Sequence, residues 1–167
     1  MPIFSSVAAS RKKAFFLDPI PKDAQILEVG CGFRWVGEYL RAQGHKHYVG
    51  LDLFPPADIV GDIKEWRSLG LRAESFDVIV AFEVLEHTPC IPECFELLKP
   101  GGRLVATSPV PEMDWFLRML ELSGLNQKRT SPHEFLIDFR TIPLFKLTSY
   151  RRIAGLSQWG IFTKPGS

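Results

Sequence analysis

The run Ile26-Leu27-Glu28-Val29-Gly30-Cys31-Gly32-Phe33-Arg34 constrains the fold most, because a short apolar stretch stops there at an acidic residue and two alternate glycines. Bounded by Pro21 and Gly30, residues Ala24 to Val29 have the pattern of a strand buried on both faces. Glycine has no Cβ, so it accepts positive φ and lets a ligand come close to the backbone; between a strand and a helix that is its usual service. Trp35, Val36, Tyr39 and Leu40 then recur at helical spacing until Gly44.

The same alternation continues along the chain. His47 to Asp52 predicts a second strand, Ala57 to Gly61 a short third, and Ile63 to Leu69 a helix-like stretch after Asp62. Phe76 to Phe82 is the clearest buried strand, with Glu83 at its exit, and a helix is predicted from about Pro89 to Leu98. Pro100-Gly101-Gly102 reads as a turn into a fifth strand over Arg103 to Thr107. Met113 to Leu122 is helical in pattern, with Trp115, Met119 and Leu122 on one side. Ser131-Pro132-His133-Glu134 suits the start of a short helix carrying Phe135, Leu136 and Phe139. Phe145 to Ile153 and Ser157 to Thr163 flank Gly155 as an antiparallel pair. Together these elements predict an α/β fold: a Rossmann-like, mainly parallel seven-stranded sheet with helices on both faces and an antiparallel C-terminal strand.

With 167 residues, 46% of them hydrophobic and 23% charged, the chain has enough apolar material for one sizeable core. A formal net charge of +1 gives no general attraction to nucleic acid, and no nucleic-acid partner is expected. No apolar run reaches the length of a membrane span, and the N-terminus lacks the pattern of a signal peptide, so stable membrane insertion is not expected and the cytoplasm is the expected location. Three cysteines, an odd number, do not make a disulfide framework. Cys90 and Cys94 fall on one helix face downstream of His87, but without a second ligand cluster no metal site is expected. Residues 5 to 17 pattern as a short amphipathic helix, Phe15 and Phe16 beside Arg11, Lys12 and Lys13. Two roles stand for it, a cover over the domain or a weak contact with a membrane surface.

Glu28 with the Gly30 and Gly32 loop, Asp52, Asp62, and Phe82-Glu83 all fall at C-terminal ends of predicted strands, the edge of an open α/β sheet where ligands bind. Asp52 lies 20 residues beyond Gly32, where an acidic side chain can accept from both hydroxyls of a ribose. A dinucleotide fingerprint wants a third glycine where Trp35 stands, and a Walker loop wants a Gly-Lys-Ser/Thr run that is absent. Glu28 therefore suits a cationic ligand better than a phosphate; alternatively it ties down the loop backbone.

Six runs in order, Ile26-Leu-Glu-Val-Gly-Cys-Gly, Val49-Gly-Leu-Asp, Gly61-Asp-Ile, Phe76-Asp-Val-Ile-Val, Val84-Leu-Glu-His and Leu98-Lys-Pro-Gly-Gly, resemble the class I S-adenosylmethionine-dependent methyltransferases, in particular the small-molecule, type 11-like group. The resemblance covers residues 24 to 108, and Ser157 to Phe162 matches the family's last strand more loosely. It implies S-adenosylmethionine as cofactor and S-adenosylhomocysteine as product. It further implies that Glu28, Gly30, Cys31 and Gly32 line the methionine part, that Asp52 with Leu53 holds the ribose, that Asp62 and Ile63 meet the adenine, and that Phe82 lies over the cofactor near the sulfonium. Arg34 departs from the family, which often has a small residue or glycine there; it either reaches an anionic substrate or stays on the surface.

The expected organisation is one methyltransferase domain over 1–167: a cover helix at 1–20, the cofactor-binding core at 24–108, a substrate-side cap at 109–143 and the terminal strand pair at 144–164. Methyl transfer from a sulfonium is an in-line displacement, which asks mainly for alignment and for a base when the nucleophile carries a proton. His133 and Glu83 are the candidates for base or substrate contact; an exposed helix start and a loop brace are their structural alternatives. The acceptor is read as a small or medium-sized molecule beneath Met113 to Phe139. A cofactor-binding regulatory or partner subunit without its own methyl transfer is the second reading, and a nicotinamide-dependent oxidoreductase the third. The sequence does not indicate an oligomeric state.

Overall fold

The computed structural model describes residues 9–111 and 137–166. Its sheet has seven strands in the order β3-β2-β1-β4-β5-β7-β6. These are β1 (Ile26–Val29), β2 (Tyr48–Asp52), β3 (Ile59–Val60), β4 (Phe76–Phe82), β5 (Leu98–Pro109), β6 (Lys146–Ile153) and β7 (Ser157–Thr163). The first five pair in parallel, whereas β7 runs antiparallel between β5 and β6. This is the mainly parallel Rossmann-like α/β sheet that the alternation of apolar runs predicts. The order reverses at β1, so β1 and β4 diverge into the crossovers that open a crevice beyond their C-terminal ends.

Among the described residues, three helices accompany the sheet: α1 over residues 9–17, whose last turn Lys13–Leu17 is π-wound, α2 (Trp35–Ala42) and α3 (Ile91–Leu97). Strand alternation divides the core into two layers. Ile26, Val78, Val80, Val105 and Trp159 face Phe16 and Leu17 of α1 and Val36 and Leu40 of α2. Leu27, Val29, Leu51, Ile79, Ala81 and Leu104 face the other way, onto Ile91, Cys94 and Leu97 of α3 and onto Phe139. Residues 9–17 thus pack over one sheet face.

Four elements differ from the sequence pattern. β5 begins at Leu98 and runs through Pro100-Gly101-Gly102, because Gly101 at φ 77° lets the strand bulge where its register against β4 shifts. The third strand shrinks to Ile59–Val60, with Asp58 turned back so that its carboxylate accepts from Gly50 N at 2.8 Å. After Asp62 only a 3₁₀ turn forms, Ile63–Glu65, capped by the Asp62 side chain accepting from Lys64 N at 2.9 Å. Pro92 sets the late start of α3, in its first turn.

Candidate functional site

The C-terminal ends of β1, β2, β3 and β4 enclose a cleft of about 280 Å³. Its wall consists of Val29 and Gly30 after β1, Leu51, Asp52 and Leu53 after β2, Gly61, Asp62 and Ile63 after β3, and Glu83, Val84, His87 and Thr88 after β4. Four strand ends separated widely in sequence thus meet at one site.

Gly30 turns the chain at φ 72°, and a Cβ there would lie 2.4 Å from Val84 Cγ2. Only glycine meets both demands. The Gly30 amide donates to Leu51 O at 2.8 Å, fastening the loop to β2. Gly32 N donates to Asp52 Oδ2 at 2.8 Å, while Asp52 Oδ1 accepts from Phe54 N at 3.2 Å. Asp52 therefore lines the cleft and fixes the glycine loop with the same carboxylate. Leu53 is exposed on the cleft lining, and Ile63 is buried in the wall.

Glu28 stands elsewhere. Its side chain is buried and accepts a hydrogen bond from the Tyr48 hydroxyl. Burial, only partly offset by that bond, pushes its carboxyl up to about 8. The Tyr48 ring fits because Gly37 and Gly50 leave room for it: a Cβ on Gly37 would lie 2.5 Å from the ring. The Glu28 carboxyl is thus engaged by Tyr48 and is not among the residues that line the cleft. Cys31 is likewise buried, its thiol 3.8 Å from Pro56 O and pushed up to about 11 by burial.

Phe82 points to the same face as Glu28. Its ring lies 5.2 Å from Phe16 and 6.1 Å from Trp35, nearly parallel to the latter, and it is not part of the cleft lining. Glu83 does line the cleft, at φ 55°, a left-handed conformation unusual for a residue with a side chain. Its Oε1 accepts from Thr107 Oγ1 at 2.7 Å and from Lys12 Nζ at 3.0 Å. Three residues further on, Glu86 is 1% exposed, with Oε2 lacking a hydrogen-bond partner among the described residues. Burial first, then the charge of Glu83, pushes its carboxyl up to about 8.

Arg34 is half-buried at the start of α2 with φ 63°. Its guanidinium pairs with Asp58, which also takes Arg41 at 3.3 Å. That ion pair ties Arg34 to the loop after β2. His87 lines the cleft, whereas Cys90 and Cys94 are packed in the core with their sulfurs 4.0 Å apart. Among the described residues no cluster of three or more His, Cys, Asp or Glu is arranged for a metal. His133, Trp115, Phe116 and Phe135 lie outside the described residues.

Val84, Thr88 and Lys12 join the site without having been singled out in the sequence. The Val-Leu-Glu-His run signals the first; nothing local signals Lys12, which is 71 positions from Glu83.

Comparison with known proteins places these features in context. The family model described as "Methyltransferase domain" matches residues 4–156. A protein of Xylella fastidiosa named ubiquinone biosynthesis O-methyltransferase is 33% identical over 103 residues, a match spanning 51% of this chain and 42% of that protein. The chain thus spans less than half the length of such curated relatives. Among solved structures, a Pyrococcus horikoshii protein superimposes with a TM-score of 0.69 at 16% identity, over 96% of this chain and 91% of the other. An S-adenosylmethionine-dependent methyltransferase of Mesorhizobium loti gives 0.63 at 15% identity, over 92% and 97%. At these identities the superpositions show a shared fold.

Proposed function

This chain belongs to the methyltransferase-domain family, and from that membership we propose that it transfers the methyl group of S-adenosylmethionine to a small or medium-sized acceptor by in-line displacement. The observation that carries the reading is the meeting of the glycine loop, Asp52, the Asp62-Ile63 pair and Glu83 in one cleft at the sheet's topological switch point.

The donor set suits the cofactor. Asp52 offers a carboxylate for a ribose diol, Leu53 and Ile63 offer apolar surface for a flat base beside Asp62, and the cleft floor at Gly30 has no side chain to block it. S-adenosylmethionine supplies an electrophilic methyl on a sulfonium; the protein's part is to align the acceptor and accept its proton. Glu83, on the wall, and His133, in the segment between β5 and β6, are proposed for base or acceptor contact. Glu28, Cys31 and Phe82 act from behind, holding the loop and strand that carry Gly30, Gly32 and Glu83. The relatives' name supports a small-molecule acceptor methylated at oxygen. Residues 1–167 are proposed to act as one domain, and three buried free thiols support a reducing, cytoplasmic setting.

Calorimetry with S-adenosylmethionine, S-adenosylhomocysteine and NAD tests the cofactor. Binding of the first two supports the proposal, and binding of NAD alone overturns it. Transfer of labelled methyl into a metabolite extract tests the activity; tight cofactor binding without transfer favours a partner-subunit role instead.

A further inference from the structure

Lys12 brings a charge from α1 to the wall of the cleft. Its ammonium donates to Glu83 Oε1 and to Thr107 Oγ1, each at 3.0 Å, and stands 5.0 Å from the centre of the Phe82 ring. The Lys12 side chain is 14% exposed against 44% for Glu83, so the lysine is the inner partner. Behind it, Phe16 and Leu17 are buried in the core, and Phe15 and Phe16 pack on Trp159. The tie at Lys12 therefore rests on a firmly seated helix.

Glu83 needs such a tie. It sits in a left-handed conformation at the end of β4, where its amide donates to Thr107 O at 2.9 Å and its carboxylate is held by Thr107 and Lys12. An unbalanced carboxylate there would also have a chemical effect. Methyl transfer disperses the positive charge of a sulfonium, so a bare negative wall would stabilise the charged starting state more than the transition state.

We propose that Lys12 is a positioning residue of the cleft, fixing the Glu83 carboxylate from α1 and cancelling its charge, so that the seating of α1 sets how strongly the cleft favours a sulfonium cofactor over its neutral thioether product. The inference rests on the cofactor reading above.

S-adenosylmethionine carries one more positive charge than S-adenosylhomocysteine, which makes their affinity ratio the direct readout. Calorimetry at low salt with both ligands is performed on the wild type, Lys12→Gln, Lys12→Arg and the double variant Lys12→Gln/Glu83→Gln. Loss of the ammonium shifts the ratio toward S-adenosylmethionine by about threefold, the scale of changing one charge within a screening length. Lys12→Arg restores the ratio, and the double variant cancels the shift. Amide exchange over residues 9–17 rises in Lys12→Gln.

An unmoved ratio, or an equal loss of both affinities, overturns the role of Lys12 while leaving the cofactor reading standing. A wild type that binds neither ligand overturns the cofactor reading and the charge-balancing role with it.

Discussion

The hydroxyl of Tyr48 donates to the buried carboxyl of Glu28 inside a slot that two glycines, Gly37 and Gly50, leave open between α2 and the sheet. This pair lies directly behind the glycine loop, so its ionisation bears on the stability of the site.

Glu28 holds its proton in the folded protein up to about 8, against 4.5 for an ordinary glutamate. Below the lower value both folded and unfolded states are protonated and the full stabilisation is present. As pH rises through this window the unfolded chain ionises first, and stability falls. Glu28→Gln cannot ionise, so it loses less stability between pH 5 and pH 8.5 than the wild type does. A difference of at least ~3 °C in that Tm change, corresponding to ~1 kcal/mol, is expected from thermal unfolding followed across pH.

Gly37→Ala tests the slot itself. Alanine improves helix propensity by about 1 kcal/mol at an ordinary site. Here its Cβ would meet the Tyr48 ring at 2.5 Å, so the net effect is destabilisation by roughly 1–3 kcal/mol in denaturant unfolding. A stabilised Gly37→Ala variant would show that Tyr48 moves aside freely.

Asp52→Ala removes an acceptor that holds Gly32 N at 2.8 Å and faces the cleft. S-adenosylhomocysteine affinity measured by calorimetry should fall by roughly 1–3 kcal/mol through lost charge-assisted hydrogen bonds. Unchanged affinity would remove Asp52 from the binding site.

Arg34 occupies a left-handed position and compensates with its ion pair to Asp58. Arg34→Ala keeps the backbone strain and loses the pair, whereas Arg34→Gly loses both. Thermal unfolding should therefore rank the wild type and Arg34→Gly close together, with Arg34→Ala lower. The structure also explains the departure from the family pattern: the position asks for the conformation that glycine adopts without strain.

His133→Ala is expected to leave S-adenosylmethionine affinity nearly intact while lowering turnover, once an acceptor is in hand. Parallel losses in both would assign His133 to cofactor binding.

Much of this protein was legible along the chain. The apolar runs at Ile26, Tyr48, Phe76 and Leu104, punctuated by Gly30, Asp52 and Glu83, determine the strands, their parallel order and the edge where the site forms, because strand burial and glycine geometry are local properties. The same locality hid the side-chain partners. Glu28 and Phe82 belong to motif runs but are not among the residues lining the cleft, because Glu28 is buried against Tyr48 and Phe82 packs on Phe16 and Trp35, contacts that only the packed helices and strands supply. Lys12 reaches Glu83 and Arg34 reaches Asp58 across 71 and 24 positions, contacts that no local spacing encodes. Sequence alone determined that a glycine loop closes β1; tertiary packing decided which of its neighbours line the cleft and which brace them, because that choice depends on how α1 and α2 settle on the sheet.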